Sequence, residues 1–363
     1  VDVVTTDTAG PGRGDNLVLA ANPAVFSDAL RVTYCHRVAG VSVAPRLVRE
    51  IRARIASADL VHLTSVYTFA TFPALLLSLL EGKPLVWSPR GSLQRWQGSR
   101  RRAAKWLWER ACDALLSPER CLVHATTDSE RAETSRRLRN ARFAVVPNGV
   151  DMPPAGAIAG RAWRPGGTLR ALFMGRLDPK KGLENLLHAI AKDPALRVSL
   201  TVCGDGPPPY AESLRRLSNE LGVSERVVFA GHVEGDAKLR AFHDADVCVV
   251  PSYTENFGMV VAESLAHGVP VIASRGTPWA GIASRGCGYW SDNAPHALGE
   301  ALRAISREDP AAMGARGRAW MAAEFDWDRV AASMLRVYRD LLERPADGTH
   351  RAGQAGLPPE SGA

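Results

Sequence analysis

Long apolar runs are missing from this 363-residue chain: the longest, near Phe72 to Leu80, stops at Glu81, well short of the roughly 20 residues that span a bilayer. Nothing ahead of the first strand reads as a signal peptide, and a reduced cytoplasm, which the cysteine usage favours, is the expected setting. Cysteine is scarce. The six, at 35, 112, 121, 203, 248 and 287, form no CxxC and keep no zinc-type spacing with histidine, which argues against a disulfide scaffold or a zinc module. Cys203 and Cys248 fall inside apolar strands, where a thiol reads as a small buried hydrophobe. No GxGxxG stands between a strand and a helix with an acid about 20 residues on, which argues against a dinucleotide dehydrogenase. No acidic pair of the DxD kind lies in a suitable loop, so divalent metal is expected to be dispensable.

The rest of the composition is that of an ordinary folded protein, 46% apolar and 23% charged. The length calls for two domains of about 150 residues. A net charge of +7 and a pI near 9.3 favour anionic partners. These include a nucleotide, an anionic membrane surface and nucleic acid, but no DNA- or RNA-binding motif accompanies the charge, and nucleic acid is not expected.

Along the first half strands and helices alternate. Val1 to Thr5, Val32 to Cys35, Leu60 to Leu63, Leu85 to Trp87, Cys121 to His124 and Phe143 to Val146 read as strands. Pro45 to Ala56, Phe69 to Leu80, Ser99 to Leu116 and Asp128 to Arg139 read as helices. That order predicts a doubly wound parallel sheet over residues 1–147. A Pro/Gly-rich linker follows at 148–167.

Alternation then restarts over 168–325, with strands at Leu169 to Met174, Val198 to Val202, Val227 to Ala230, Val247 to Val250 and Val271 to Ala273. The class is therefore α/β, two Rossmann-like domains facing across a cleft. Helices at Pro310 to Ala323 and Trp327 to Leu342 follow, and 344–363 reads as a disordered tail.

The most informative stretch is PSYTENFGMVVAESLAHGVPVIAS, residues 251 to 274. Pro251 ends a buried strand, and Val260, Val261, Leu265 and Ala266 then recur at helical spacing until Gly268 and Pro270. Glu255 thus sits in a strand-to-helix loop and Glu263 about a turn and a half inside the helix. A helix start suits a phosphate, and Gly258 lets that backbone come close. Carboxylates there suit neutral hydroxyls, which a nucleotide sugar offers on its sugar and on its ribose. Taken singly, Glu255 reads as readily as a helix cap and Glu263 as a solvated helix residue.

GRLDPKKG, residues 175–182, also joins a strand to a helix. Arg176, Lys180 and Lys181 can neutralise a diphosphate there, or be ordinary surface cations at a helix start. SPRGSL at 88–93 puts Arg90 and Gly91 at the end of a first-domain strand, with Arg90 either a phosphate or acceptor contact or a surface arginine in a turn. In HATTDSE, 124–130, Asp128 or Ser129 is expected to cap a helix, and His124 reads as structural. CGDGP at 203–207 reads as a tight turn and His232 as a loop residue. RWQGSRRRAAKWLWER, 95–110, carries cations interleaved with Trp96, Trp106 and Trp108. It reads as a peripheral contact with anionic lipid or as a solvated helix with its tryptophans turned to the core.

From about residue 84 to 343 these motifs together resemble the retaining glycosyltransferases of family four, which have the GT-B fold. The resemblance implies that Arg176 and Lys181 hold the donor diphosphate, with Gly175 beside them. It implies that Glu255 faces the donor sugar, Glu263 takes the ribose, and the backbone from Asn256 through Phe257 to Gly258 meets sugar and phosphate. Arg90 stands where relatives often carry histidine. Asn148 to Asp151 match the interdomain hinge, and the helix over 326–343 matches one that crosses back to the first domain.

Relatives usually place a strand, a Gly-rich loop and a helix ahead of the segment that VDVVTTD resembles. The first domain is therefore expected to lack that unit. The implied activity is metal-independent sugar transfer from a nucleotide diphosphate sugar, a substrate and not a cofactor, to a saccharide or lipid-linked acceptor in surface polysaccharide synthesis. A nucleotide-sugar epimerase and a silent nucleotide-sugar-binding protein are the alternatives.

Overall fold

The structure, a computed structural model, describes residues 1–9, 15–19, 21–40, 42–94, 101–154 and 167–343. The glycines at 10, 12 and 14, the start of the basic stretch at 95–100, linker residues 155–166 and the tail from 344 onward lie outside these.

The first half runs β1 (Asp2–Thr6), β2 (Ala24–Ser27), β3 (Leu30–Cys35), α1 (Pro45–Ser57), β4 (Val61–Thr64), α2 (Thr71–Leu80), β5 (Leu85–Ser88), α3 (Arg102–Asp113), β6 (Cys121–Ala125), α4 (Asp128–Ser135) and β7 (Arg142–Val145). The expected single parallel sheet is instead two. β4-β5-β6-β7 are parallel throughout, whereas β1-β3-β2 form a separate sheet with β2 antiparallel to β3. β2 escapes the alternation pattern because it is four residues long and leaves Val25 and Phe26 exposed, with no buried face to mark it. β1 and β4 share no ladder among the described residues; one core joins the two sheets, with Cys35, Leu47, Ile51 and Ile55 packed alongside Leu63, Leu75, Leu85 and Trp87.

The second half is one six-stranded parallel sheet in the order β10-β9-β8-β11-β12-β13. Its strands are β8 (Leu169–Met174), β9 (Val198–Cys203), β10 (Val227–Gly231), β11 (Val247–Val250), β12 (Val271–Ser274) and β13 (Gly288–Ser291). Between them lie α5 (Leu183–Lys192), α6 (Pro208–Glu220), α7 (Gly235–Asp244), α8 (Met259–Ala266) and the short α9 (Gly281–Ser284), followed by α10 (Pro295–Ile305). Successive strand residues enter opposite cores: Ala171 and Phe173 pack with α5 and α10, while Leu172, Cys248 and Val250 pack with α8. β13 and α10 add to the elements legible in the sequence; GYWS at β13 is only partly buried and carries no apolar run.

α11 (Pro310–Glu324) packs on α8, and α12 (Trp327–Leu342) carries the chain back to the first half. Val150 N donates to Phe325 O at 2.8 Å as the chain passes between halves. Leu341 is then buried against Val86 and Leu122 on β5 and β6. Beneath α12 runs a chain of side chains: Tyr338 OH to His62 Nδ1, 2.5 Å; His62 Nε2 to Ser88 Oγ, 2.7 Å; Ser88 Oγ to His124 Nδ1, 2.8 Å; His124 Nε2 to Val146 O, 2.8 Å. All six cysteines are free thiols and buried.

Candidate functional site

In the second sheet the chain steps from β8 outward to β9 and β10, then returns to β11 on the other side of β8. The helices that follow β8 and β11, α5 and α8, therefore lie on opposite faces of the sheet, and the strand ends at this crossover are where such sheets carry a ligand crevice. Both loops singled out in the sequence meet there.

After β8, Asp178 caps a single tight turn, Pro179–Lys181, by accepting from Lys180 N at 3.0 Å. Gly182 closes it with φ +63, and a Cβ there would stand 2.2 Å from Pro251 O. Only glycine lets the two loops come this close. Lys180 O in turn accepts from Tyr253 N at 2.8 Å. The result points Lys181 across the crevice: its Nζ donates to Glu255 Oε1 at 2.5 Å, and Ser252 Oγ donates to the same oxygen at 2.7 Å.

Both partners are largely withdrawn from solvent, 17% and 9% exposed at the side chain. Burial and then the neighbouring Lys181 push the Lys180 ammonium below its usual range, Arg176 adding to the effect and Glu255 and Asp178 opposing it. Three cations thus face two acids, an excess positive charge suited to an anion. Arg176 is exposed and makes no ion pair among the described residues.

Gly258, with φ +79, occupies the cap position of α8 with no side-chain cap, so Glu255 is not the helix cap. Its own amide is spent on Gly276 O at 2.9 Å. Phe257 is buried in an aromatic cluster with Trp279 and Phe325, ring centroids 5.2 and 6.1 Å away, and its carbonyl accepts from Trp279 Nε1. That side chain anchors the loop. One turn into α8, Glu263 Oε1 accepts from Lys238 Nζ of α7 at 2.8 Å. Each glutamate therefore has a lysine partner within the protein. Gly175, at φ +151, lies between β8 and these cations and donates to Cys203 O at 2.9 Å.

On the first-half side Arg90 is exposed, takes a positive φ of 52° and donates through Nη1 to Asn148 Oδ1 in the connection between halves. Gly91 N donates to Glu130 Oε1 at 2.6 Å. The cap of α4 is Thr127, whose Oγ1 accepts from Glu130 N at 3.1 Å, in place of the expected Asp128 or Ser129; Asp128 and Ser129 are already helical. Asn256 Nδ2 crosses between halves to Thr126 Oγ1 at 2.9 Å. His124 is buried in the chain under α12, and His232 pairs with Glu234 in an exposed loop. CGDGP adds two backbone bonds to the site, the one from Gly175 N to Cys203 O and another from Leu177 N to Asp205 O at 2.8 Å.

α3 divides its tryptophans. Trp108 turns inward and donates to Val66 O at 2.9 Å, while Trp106 and Leu107 face solvent beside Arg102 and Lys105. Trp96 lies outside the described residues. Among the described residues no three of His, Cys, Asp or Glu gather as a metal set, and no helix is long and apolar enough to cross a membrane.

Lys238, Ser252 and Thr126 were not foreseen. Lys238 resembles any surface lysine of an amphipathic helix, and nothing in one sequence ties it to an acid 25 residues on.

Two family models match. "Glycosyltransferase Family 4" covers residues 1–152 and "Glycosyl transferases group 1" covers residues 162–320. The chain is 32% identical over 252 residues to D-inositol 3-phosphate glycosyltransferase of Mycolicibacterium smegmatis, a match covering 65% of this chain and 57% of that protein. It is 35% identical over 226 residues to the GDP-mannose-dependent alpha-(1-6)-phosphatidylinositol monomannoside mannosyltransferase of Mycobacterium tuberculosis, 55% of this chain and 56% of that one. The matches thus span little more than half the length of these curated relatives.

Among solved structures, sucrose-phosphate synthase from Thermosynechococcus elongatus superposes with TM-score 0.71 at 24% identity, over 94% of this chain and 88% of that one. HepE of Anabaena, solved with UDP-glucose, superposes with TM-score 0.68 at 19% identity, over 85% and 86%. These two share the fold, two Rossmann-like domains of the GT-B type.

Proposed function

Because the chain belongs to the family-four, group 1 glycosyltransferases, we propose that it transfers a sugar from a nucleotide diphosphate sugar to a hydroxyl of a saccharide or lipid-linked saccharide, with retention and without metal. The observation that carries this is the crossover crevice, where Lys181 and Lys238 each reach a glutamate, Glu255 and Glu263, beside Arg176, which makes no ion pair among the described residues. The cations offset the diphosphate. The acids accept hydroxyl hydrogens of sugar and ribose once a ligand displaces or shares their lysine partners.

In the reaction the bond from the anomeric carbon to the β-phosphate oxygen breaks, and the acceptor oxygen bonds that carbon on the face just vacated. The acceptor proton passes to the departing diphosphate. Arg176 and Lys181 stabilise the charge that develops on the leaving group, the electrostatic contribution expected to dominate. Glu255 and the backbone from Asn256 to Gly258 orient the sugar, Glu263 orients the ribose, and Gly175 lets the diphosphate approach the β8 end. No protein nucleophile is assigned.

Both curated relatives are named for inositol-bearing acceptors with phosphate attached, and Arg90, exposed at the first-half rim, is the candidate contact for such a group. The outward Trp106 and Leu107 with Arg102 and Lys105 on α3 support a peripheral contact with an anionic membrane, where a lipid-linked acceptor would lie.

The test is turnover of a panel of UDP- and GDP-sugars with and without acceptor, including inositol phosphates and lipid-linked saccharides. Nucleotide released only with acceptor supports transfer. A new nucleotide sugar formed without acceptor would make it an isomerase, and nucleotide binding with no turnover would make it a silent binder.

A further inference from the structure

Glu255 and Asn256 are neighbours that face opposite ways. Glu255 turns to Lys181 within the second half. Asn256 crosses to the first half, where its Nδ2 donates to Thr126 Oγ1 at 2.9 Å and its carbonyl accepts from Thr127 Oγ1 at 3.3 Å. Both threonines lie between β6 and α4. Thr126 is fixed by the buried Glu130, whose Oε2 accepts from Thr126 N at 2.7 Å and from Thr126 Oγ1 at 2.8 Å. The other oxygen, Oε1, accepts from Gly91 N at 2.6 Å, tying in the turn that carries Arg90. Gly91, at φ +74, lies so close that a Cβ there would stand 2.7 Å from Asn256 Cβ. One side chain of the second half therefore touches the loops that end both β5 and β6.

The chemistry of this joint is directional. A carboxylate only accepts, so the single hydroxyl hydrogen of Thr126 points to Glu130, and its oxygen can be satisfied from the far side only by a donor. An amide nitrogen supplies one; a carboxylate would not. Meanwhile Asn256 Oδ1 is buried and meets no donor among the described residues, a cost that opening to solvent would relieve. Opening the joint thus gives up two hydrogen bonds and relieves one buried oxygen. Its position is also transmitted from the crevice, because Glu255 N is held by Gly276 O and Phe257 by Trp279 on either side of it.

We infer that Asn256 is a positioning residue, a clamp that brings the Arg90 turn over the crevice when the 251–258 loop is in its ligand-holding shape. Its catalytic consequence rests on the proposed sugar transfer; the clamp itself does not. In such a device the acceptor side is assembled only as the halves close, and the weakness of the joint lets a bound nucleotide shift the balance.

The experiment compares full-length wild type with Asn256→Asp, Thr126→Val and Thr126→Ser, using small-angle X-ray scattering with and without UDP or GDP and steady-state kinetics. Asn256→Asp and Thr126→Val should each raise the radius of gyration and weaken its decrease on nucleotide addition. Turnover with acceptor should fall about tenfold or more, as displaced reacting groups require. Thr126→Val should keep nucleotide affinity within about twofold, and Thr126→Ser, which restores the hydroxyl, should restore both compaction and rate.

Scattering curves of both disruptive variants that superpose on wild type, with melting temperatures unchanged, would overturn the clamp. So would a Thr126→Val protein that loses nucleotide affinity as much as rate. If the variants expand but wild type turns over no nucleotide sugar, the clamp stands and the transfer assignment falls.

Discussion

Lys181 and Glu255 form a pair that cannot lose one member cheaply. Without the ammonium, Glu255 keeps only Ser252 as side-chain partner in a site where both groups are mostly covered. Lys181→Ala is therefore expected to cut turnover by roughly 100-fold or more, a magnitude typical of removing one preorganised stabiliser of leaving-group charge; single-turnover rates check it. On the proposed reading, in which Glu263 takes the ribose and Lys238 holds Glu263, Glu263→Ala and Lys238→Ala should instead loosen binding. About 1 kcal/mol per lost hydrogen bond, or some fivefold in affinity, is the expected scale, read by titration calorimetry with UDP and GDP. Gly182→Ala belongs to stability. With φ +63 and a Cβ 2.2 Å from Pro251 O, the variant must part the two loops; a loss of about 1–3 kcal/mol in urea unfolding is expected, with nucleotide affinity falling alongside it.

At the scale of elements, what could be read in advance was whatever repeats locally. β8, β11 and α8 are legible because Val, Leu and Ala alternate or recur within ten residues, and because Pro251, Gly258 and Gly268 punctuate them. The loops between them, and so most of the crevice residues, come with that pattern. The partners do not. Asn256 finds Thr126 130 positions away and Tyr338 finds His62 276 positions away. Such pairs depend on which strand ends lie side by side, which no local period encodes. β2 and the cap at Thr127 show the same limit at short range, where four half-exposed residues and three adjacent polar ones admit several choices. α3 carries the element-scale prediction. Its solvent-facing Trp106 and Leu107, beside Arg102 and Lys105, should partition onto vesicles containing anionic lipid. Trp106→Ser with Leu107→Ser should weaken sedimentation with such vesicles several-fold, and turnover of a water-soluble acceptor should stay unchanged.

For the whole molecule, the side-chain chain under α12 links the terminal helix to the connection between halves. It is satisfied in one direction. Val146 O only accepts, so His124 Nε2 bears a proton and its Nδ1 receives one from Ser88 Oγ, leaving Ser88 to accept from His62 Nε2 and His62 Nδ1 from Tyr338 OH. A second proton on His124 would face the Ser88 donor. Burial lowers the His124 imidazole below its ordinary range and Arg90 adds to this, the Val146 and Glu130 interactions only partly opposing it. Both folded and unfolded chains hold it neutral above pH of about 6.5, and below that the unfolded chain takes up the proton first. Stability is therefore expected to fall as the solution is acidified from pH 7.5 toward 5.5. Urea midpoints across that range check it; burial also pushes the His62 imidazole down, to about 4, so His124→Gln, which cannot gain a proton, should lessen the dependence and leave the part that His62 carries.

The sequestered thiols have a practical corollary. Cys35, Cys112 and Cys121 sit in one half and Cys203, Cys248 and Cys287 in the other, all shut away from solvent. A maleimide added to native protein should stay unreacted until a core breathes, and peptide mapping of the adducts then times the breathing of each lobe separately. By the same token, any cysteine engineered onto the exterior becomes a single addressable handle for a fluorophore or spin label.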